Sequence, residues 1–387
     1  MSFLKLLPTI AVKQFIRVIF FLCSVLFPLK MNKVTFASYR SDKLTGNLAY
    51  VYKEIQRTRK QQYDTFFLLK KFDFSFAGKL DYVLHMIKAS YHLATSKYFF
   101  IDDYYFPVYC IKPRKGSEII QLWHAAGAFK KFGYSTIDNS FGPSRKYLEH
   151  VKIHSNYSKV AVSSSEVIPY YAEAFDMEEE KIKPWGVPRT DYFFMKDKHA
   201  KVKNRFYEKY PQLKNKKLLL YAPTFRGKSH YQDQFECPIH FGAMQKVLGD
   251  EYALLVHLHP YITTPVTIEP SVEQFVFEIK QDFTINELMI ISDLLITDYS
   301  SVIFEYSLLG RPIAFFATDL EEYKSERNFY YVYQSFIPGP FFNETVALGN
   351  WIKQGEYDYQ KINAFRDRFF DYADGKAAER LVNAIMK

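Results

Sequence analysis

The sequence is poor in cysteine: Cys23, Cys110 and Cys237 are the only three in 387 residues, widely separated and odd in number. A disulfide framework and a Cys-based zinc site are both excluded, and a reducing compartment fits. No arginine-rich run, zinc-finger spacing or RNP-type aromatic motif accompanies the net charge of +9, so a nucleic-acid partner is not expected. There is also no internal repeat and no low-complexity tract. What is present is the balance of a folded protein, 48% apolar and 24% charged, in a chain long enough for two domains.

Residues 1–32 form an apolar segment carrying Lys5, Lys13, Arg17 and Lys30. Its uncharged run, Val18 to Phe27, falls short of the roughly 20 residues a spanning helix needs. Phe27-Pro28-Leu29-Lys30 offers no signal-peptide cleavage site. The expectation is an amphipathic helix in the cytoplasmic membrane interface, apolar side down and cations toward anionic head groups. The alternative is an ordinary helix buried on the domain.

Short β-rich runs then alternate with helical periodicity. Val34–Tyr39, Asp64–Leu69, Tyr98–Ile101, Ile119–Trp123 and Lys159–Ser163 read as strands, with a helical stripe from Leu80 to Ser96. After Lys183-Pro184-Trp185-Gly186-Val187-Pro188, a natural linker, a second series comprises Lys217–Ala222, Tyr252–Leu258, Glu273–Glu278, Leu294–Asp298 and Ile313–Ala317, with a helix over Thr284–Ser292. The fold class is therefore α/β, two doubly wound Rossmann-like domains at 33–183 and 184–387. A cleft beyond the carboxyl ends of the strands is expected to hold the chemistry, and the last helix could pack on either half.

Three constellations could carry that chemistry. Thr297-Asp298-Tyr299-Ser300-Ser301 ends a strand and opens a helix, where free N–H groups and two hydroxyls suit a phosphate; a ligand-free serine cap is the plainer reading. In Trp123-His124-Ala125-Ala126-Gly127 the imidazole stands at a strand end, a position from which a neutral histidine can accept a proton from a hydroxyl, or simply be structural. Small neighbours leave room for substrate there, and Lys130 and Lys131 can offset phosphate charge. His257-Leu258-His259-Pro260 places two histidines on one strand face, for phosphate or, given a third ligand that is not obvious nearby, a metal. Arg226 and Arg189 lie at strand-to-loop transitions where a guanidinium fork can bind phosphate oxygens or pair with a surface carboxylate.

In this order the stretches resemble the CDP-glycerol glycerophosphotransferase family of wall teichoic acid synthesis. The most specific part runs from Thr297 through Arg311-Pro312 and Asp319-Leu320-Glu321-Glu322-Tyr323 to Pro338-Gly339-Pro340. The resemblance implies a GT-B fold and a membrane-associated cytoplasmic enzyme. Its reaction would move glycerol phosphate from CDP-glycerol to an undecaprenyl-diphosphate-linked disaccharide, with no tightly bound cofactor and a divalent-ion requirement left open. His124-Ala125-Ala126-Gly127-Ala128 is similar to the primase branch, which adds the first unit; extending enzymes and polymerases of the family, or a UDP-sugar GT-B glycosyltransferase, are the alternatives, and a basic membrane scaffold the non-enzymatic one. On this reading His124 is the general base. His259, Ser300 and Ser301 hold the diphosphate, with Thr297, Asp298, Arg226, Arg189, Lys130 and Lys131 also on substrate. The sequence departs from the family pattern at His257, where arginine is usual, at Gly227, where an acid is usual, and in Glu326-Arg327-Asn328-Phe329-Tyr330.

Overall fold

The computed structural model describes residues 3–71, 76–137, 139, 142–226, 236–259, 262, 264–280 and 282–386; Gly227 and Pro260 lie outside them. The chain divides into two units, Met1–Asp191 with Phe369–Lys387, and Tyr192–Arg368.

The first unit is built on six parallel strands: β1 (Lys30–Ser38), β2 (Asp64–Leu69), β3 (Ser96–Ile101), β4 (Glu118–Gln121), β5 (Lys159–Ala161) and β6 (Ile182–Lys183). Their order is β2-β1-β3-β4-β5-β6. The second unit has β7 (Lys217–Tyr221), β8 (Tyr252–Val256), β9 (Val276–Glu278), β10 (Leu294–Thr297), β11 (Ile313–Phe316) and β12 (Phe341–Phe342), in the order β12-β11-β10-β7-β8-β9. Both sheets are parallel throughout. Strands covered on both faces need unbroken apolar runs, which is what Leu218-Leu219-Leu220 and Ala253-Leu254-Leu255-Val256 supply. The expected α/β class with two doubly wound Rossmann-like layers is what the chain adopts.

Each sheet has a point where successive crossovers leave in opposite directions, between β1 and β3 in the first and between β7 and β10 in the second. Crevices form there beyond the strand ends, so the fold alone nominates the residues after those four strands as ligand-facing. The two-residue strands β6 and β12 carry too little pattern to be read from sequence.

The linker boundary at 183/184 lies inside the first unit, which runs on to Asp191 and to which the chain returns at Phe369. Leu381, Val382, Ile385 and Met386 join a core with Val34, Phe36, Phe100 and Ile120. The returning helix, Ala377–Ile385, begins on the buried Asp191 carboxylate, which accepts from the backbone N–H groups of Ala377 (2.8 Å) and Ala378 (3.0 Å). These are two of the donors that a helix start leaves without partners.

The N-terminal helix covers Leu7–Leu26, and its length and composition are sufficient to cross a membrane, unlike its uncharged run alone. It packs on the helix Phe76–Thr95. Its cations do not all face outward as expected. Lys13 donates to the His150 carbonyl, and Arg17 Nε to the Cys110 carbonyl at 3.0 Å. Val18, Phe21, Leu22, Val25 and Leu26 are left exposed.

Asp191→Ala should lower unfolding free energy by about 1 kcal/mol, whereas Asp191→Asn, which can still accept, should cost less. Urea titration of the two variants against the parent checks this.

Candidate functional site

In the first unit the switch point places Ser38-Tyr39-Arg40 and Asp102-Asp103 at the ends of β1 and β3, and His124 follows the neighbouring strand β4. The Asp103 carboxylate is their hub. Its Oδ1 accepts from the Tyr104 N–H (2.7 Å), and its Oδ2 faces Arg40 Nη1 at 2.9 Å and His124 Nδ1 at 3.5 Å. The last distance is too long for a good hydrogen bond. A carboxylate on Nδ1 leaves Nε2 as the imidazole's working nitrogen. Burial pushes the His124 pKa down to about 4; Asp103 opposes this, while the charges of Arg40 and Arg189 add to it. The ring is thus neutral at pH 7 and able to take up a proton, and the carboxylate beside it stabilises the cation that forms. Asp102, one residue earlier, is pushed up to about 6, first by burial and further by Asp103 against a Ser38 hydrogen bond.

The strand read as far as Trp123 stops at Gln121 because Trp123 has φ = +51°. A bulky side chain in the left-handed region costs roughly 1–3 kcal/mol, and the surroundings must hold it there. Beyond His124, Ala126, Gly127 and Ala128 are buried rather than lining open space. Gly127 N–H donates to Ser163 Oγ (3.1 Å), and the Tyr171 hydroxyl to the Gly127 carbonyl (3.1 Å). Lys130 and Lys131 follow half-buried. Arg189, expected among the nucleotide-site residues, belongs instead to the first unit, where its backbone N–H donates to Asn47 Oδ1 (2.9 Å).

In the second unit the residues after β7 and β10 meet around one guanidinium. Arg226 Nη1 donates to Asp298 Oδ2 (2.8 Å), and its Nε to Asp319 Oδ2 (2.5 Å). Its Cζ lies 4.9 Å from the Tyr299 ring centre and 5.1 Å from that of Tyr323. Burial opposes its charge, and the two carboxylates more than reverse that. Asp298 also accepts from the N–H groups of Thr224 (2.8 Å) and Tyr299 (2.5 Å), and the Thr297 hydroxyl donates to the Ala222 carbonyl (2.7 Å). Thr297, Asp298 and Arg226, expected on substrate, are therefore bound into the protein itself.

The same holds for much of the distinctive string. Arg311 donates to the carbonyls of Ile290 (2.9 Å), Met289 (3.2 Å) and Ser292, closing the helix Ile285–Ile291. A Cβ at Gly339 would stand 1.8 Å from the Ile313 carbonyl oxygen. Ser300 and Ser301 remain half-buried at the start of the helix Val302–Ser307, and the Ser301 side chain makes no capping bond there.

The two histidines after β8 part company. The strand ends at Val256, and His257 hydrogen-bonds the Ile279 carbonyl through Nδ1 (2.7 Å), which commits it to the sheet edge. His259 is half-buried with its ring 4.8 Å from that of Phe225, and the Arg327 guanidinium carbon lies 5.4 Å from the centre of the same Phe225 ring. Among the described residues no group of three or more His, Cys, Asp or Glu is placed to hold a metal. Asp103 and Arg40 escaped sequence reading, and Asp319 entered it only as part of the family string, with no role. Acids and a lone arginine carry no spacing signal, and only the switch-point rule applied to β1 and β3 points to the first two.

Residues 19–387 match the family described as CDP-Glycerol:Poly(glycerophosphate) glycerophosphotransferase. The teichoic acid ribitol-phosphate primase of Bacillus spizizenii is 44% identical over 94% of this chain and 93% of its own. The teichoic acid glycerol-phosphate primase of Bacillus subtilis is 33% identical over 78% of this chain and 76% of its own. A solved structure of a variant of the wall teichoic acid polymerase TagF, soaked with CDPG, has the same fold. Its TM-score is 0.76 at 23% identity, over 99% of this chain and 95% of that one.

Burial raises the Asp319 pKa, but the Arg226 fork and the Tyr299 hydroxyl override it and hold the carboxyl below its usual value. A depressed pKa contributes stability above the ordinary carboxylate range, and that contribution is lost as pH falls through the folded value. Arg226→Ala should therefore destabilise by about 2–3 kcal/mol at pH 7. The gap to the parent should narrow below about pH 4, as unfolding curves across pH would record.

Proposed function

The chain belongs to the CDP-glycerol:poly(glycerophosphate) glycerophosphotransferase family and is a teichoic acid phosphotransferase; from that premise we propose that it moves one alditol phosphate from a CDP-alditol to a hydroxyl of a lipid-diphosphate-linked acceptor. The observation that carries the mechanism is the His124 imidazole after β4 with Asp103 Oδ2 3.5 Å from its Nδ1; burial favours the neutral ring. In the reaction, the acceptor oxygen attacks the alditol-bearing phosphorus while its proton passes to His124 Nε2. The bond from that phosphorus to the bridging oxygen breaks, and CMP leaves with the negative charge. Such transfers depend on positioning and electrostatic stabilisation. We assign the donor diphosphate to Ser300, Ser301 and His259, with Arg327 as an added cation that the motif reading noted only as a departure. Arg226, paired with Asp298 and Asp319, is left out of this assignment. The reaction as written calls for no tightly bound cofactor. The exposed apolar side of the helix Leu7–Leu26 supports attachment at the cytoplasmic membrane face, where a lipid-linked acceptor is found.

For the alditol, identity favours ribitol: 44% to the ribitol-phosphate primase over 94% of this chain, against 33% to the glycerol-phosphate primase over 78%. The motif resemblance on its own pointed to glycerol. Initial rates with CDP-ribitol and CDP-glycerol on one lipid-diphosphate disaccharide acceptor should give at least a ~10-fold preference in kcat/KM for CDP-ribitol, about 1.4 kcal/mol in transition-state binding. An inverted ratio returns the assignment to glycerol, and consumption of a UDP-sugar instead of either overturns the class. Product mass should show one added unit; a ladder would make the chain a polymerase.

His124→Ala should cut turnover by about 10²–10⁴ with CDP-alditol affinity within a few-fold. In the parent, kcat/KM should hold from pH 8 to 5 and fall as pH drops through about 4, where the base becomes protonated. Near-normal turnover in the variant would remove His124 from the mechanism.

A further inference from the structure

Two wholly or almost wholly buried carboxamides surround the left-handed residue before His124. Gln121 is 0% exposed and Asn47 2%. Gln121 Oε1 accepts from the Trp123 N–H at 2.8 Å, and Asn47 Nδ2 donates to the Trp123 carbonyl at 2.8 Å and to the Leu122 carbonyl at 3.3 Å. The Trp123 residue, φ +51°, is thus gripped by its donor and by its acceptor. The orientation of each amide is fixed by chemistry, since a backbone N–H needs an oxygen and a carbonyl needs an N–H.

The remaining arms of both amides reach other parts of the same site. Gln121 Nε2 donates to the Asp103 carbonyl (3.0 Å) and the Tyr157 hydroxyl (3.0 Å). One side chain therefore links the segment bearing the imidazole to the segment bearing its carboxylate. Tyr157 is held in turn by the Tyr109 hydroxyl (2.7 Å) and His154 Nδ1 (3.1 Å). Asn47 Oδ1 accepts from the Arg189 N–H (2.9 Å), bringing in the segment whose charge bears on His124. Both N–H donors and the oxygen of each amide have a partner, and bonds at both ends of a buried amide hold it in place.

Continuing β4 in extended form would only have carried the ladder on; the left-handed residue instead ends it at Gln121 and turns the chain at its rim. We propose that Gln121 and Asn47 are positioning residues that hold Trp123 left-handed and so fix the approach of the His124 imidazole to the Asp103 carboxylate. This rests on the reading of His124 as general base. It adds a specific structural demand, because a misplacement of ~1 Å in a reacting group costs about 10²-fold in rate.

The isosteric variants Gln121→Glu and Asn47→Asp in the full chain test it. Gln121→Glu keeps the acceptor for Trp123 and replaces the donor to the Asp103 carbonyl with a second oxygen. Asn47→Asp keeps the acceptor for Arg189 and loses the donor to Trp123. Each folded variant should lose ~10- to 100-fold in kcat, with KM for the CDP-alditol within ~3-fold. Placed on His124→Ala, the same substitutions should change the residual rate by less than ~3-fold, because their effect passes through the imidazole. Folding is checked by circular dichroism, and if the glutamate variant does not fold, Asn47→Asp carries the cycle. If His124→Ala alone keeps near-normal turnover, the general-base reading fails and the positioning role with it. If His124→Ala is silenced but the folded amide variants turn over normally, or slow equally in both backgrounds, the positioning role fails alone.

Discussion

Parallel pairing is the constraint from which the rest follows. When every strand of a sheet runs the same way, all its carboxyl ends emerge on one rim, and the reversal of winding opens a crevice at a defined pair of strands. In this chain those pairs are β1/β3 and β7/β10. The first delivers Arg40 and Asp103 to the neighbourhood of His124; the second delivers Arg226 against Asp298. Burial changes within a few residues, since Thr297 belongs to the buried ladder while Ser300, in the turn that follows, is half-buried.

The distinctive string of the second unit is mostly architecture. Thr297, Asp298, Asp319, Arg311 and Gly339 all spend their side chains, or the lack of one, on backbone groups, on Arg226 or on the Tyr299 hydroxyl. The reason is electrostatic. A guanidinium brought close to a sheet end must be matched, and two carboxylates with two tyrosine rings match it more rigidly than water could. The cost is that these charges are committed within the protein.

Much of this is legible because buried parallel strands advertise themselves as apolar runs: Asp64–Leu69 has the bounds its pattern predicts, and the helix expected over Thr284–Ser292 covers Ile285–Ile291. Strand ends were overrun where an apolar residue continues past the ladder, as at Trp123, whose backbone conformation no periodicity reveals. His124 could be singled out by its place after a strand, but its carboxylate lies on a different strand end, a pairing that exists only once β3 and β4 are neighbours. Arg189 looked like part of the second half because a proline-rich stretch precedes it, whereas a hydrogen bond to Asn47 keeps it with the first. The N-terminal helix kept its apolar outer side as expected, but Lys13 and Arg17 found carbonyl partners in the protein, which hydropathy alone does not foresee.

The return of Phe369–Lys387 to the first unit makes the second unit an insertion within it. Leu381, Val382 and Ile385 fill the same core as Val34 and Phe36, and the Tyr98 hydroxyl and Arg59 reach the carbonyls of Ile385 and Met386. Burying each such aliphatic side chain contributes roughly 1.5–3 kcal/mol. During synthesis the inserted unit can therefore finish folding while the earlier one still exposes an apolar groove, which closes only when the last helix has left the ribosome. A nascent chain stalled before Leu381 carries its helix-binding groove open to chaperones, and to any other amphipathic segment in reach.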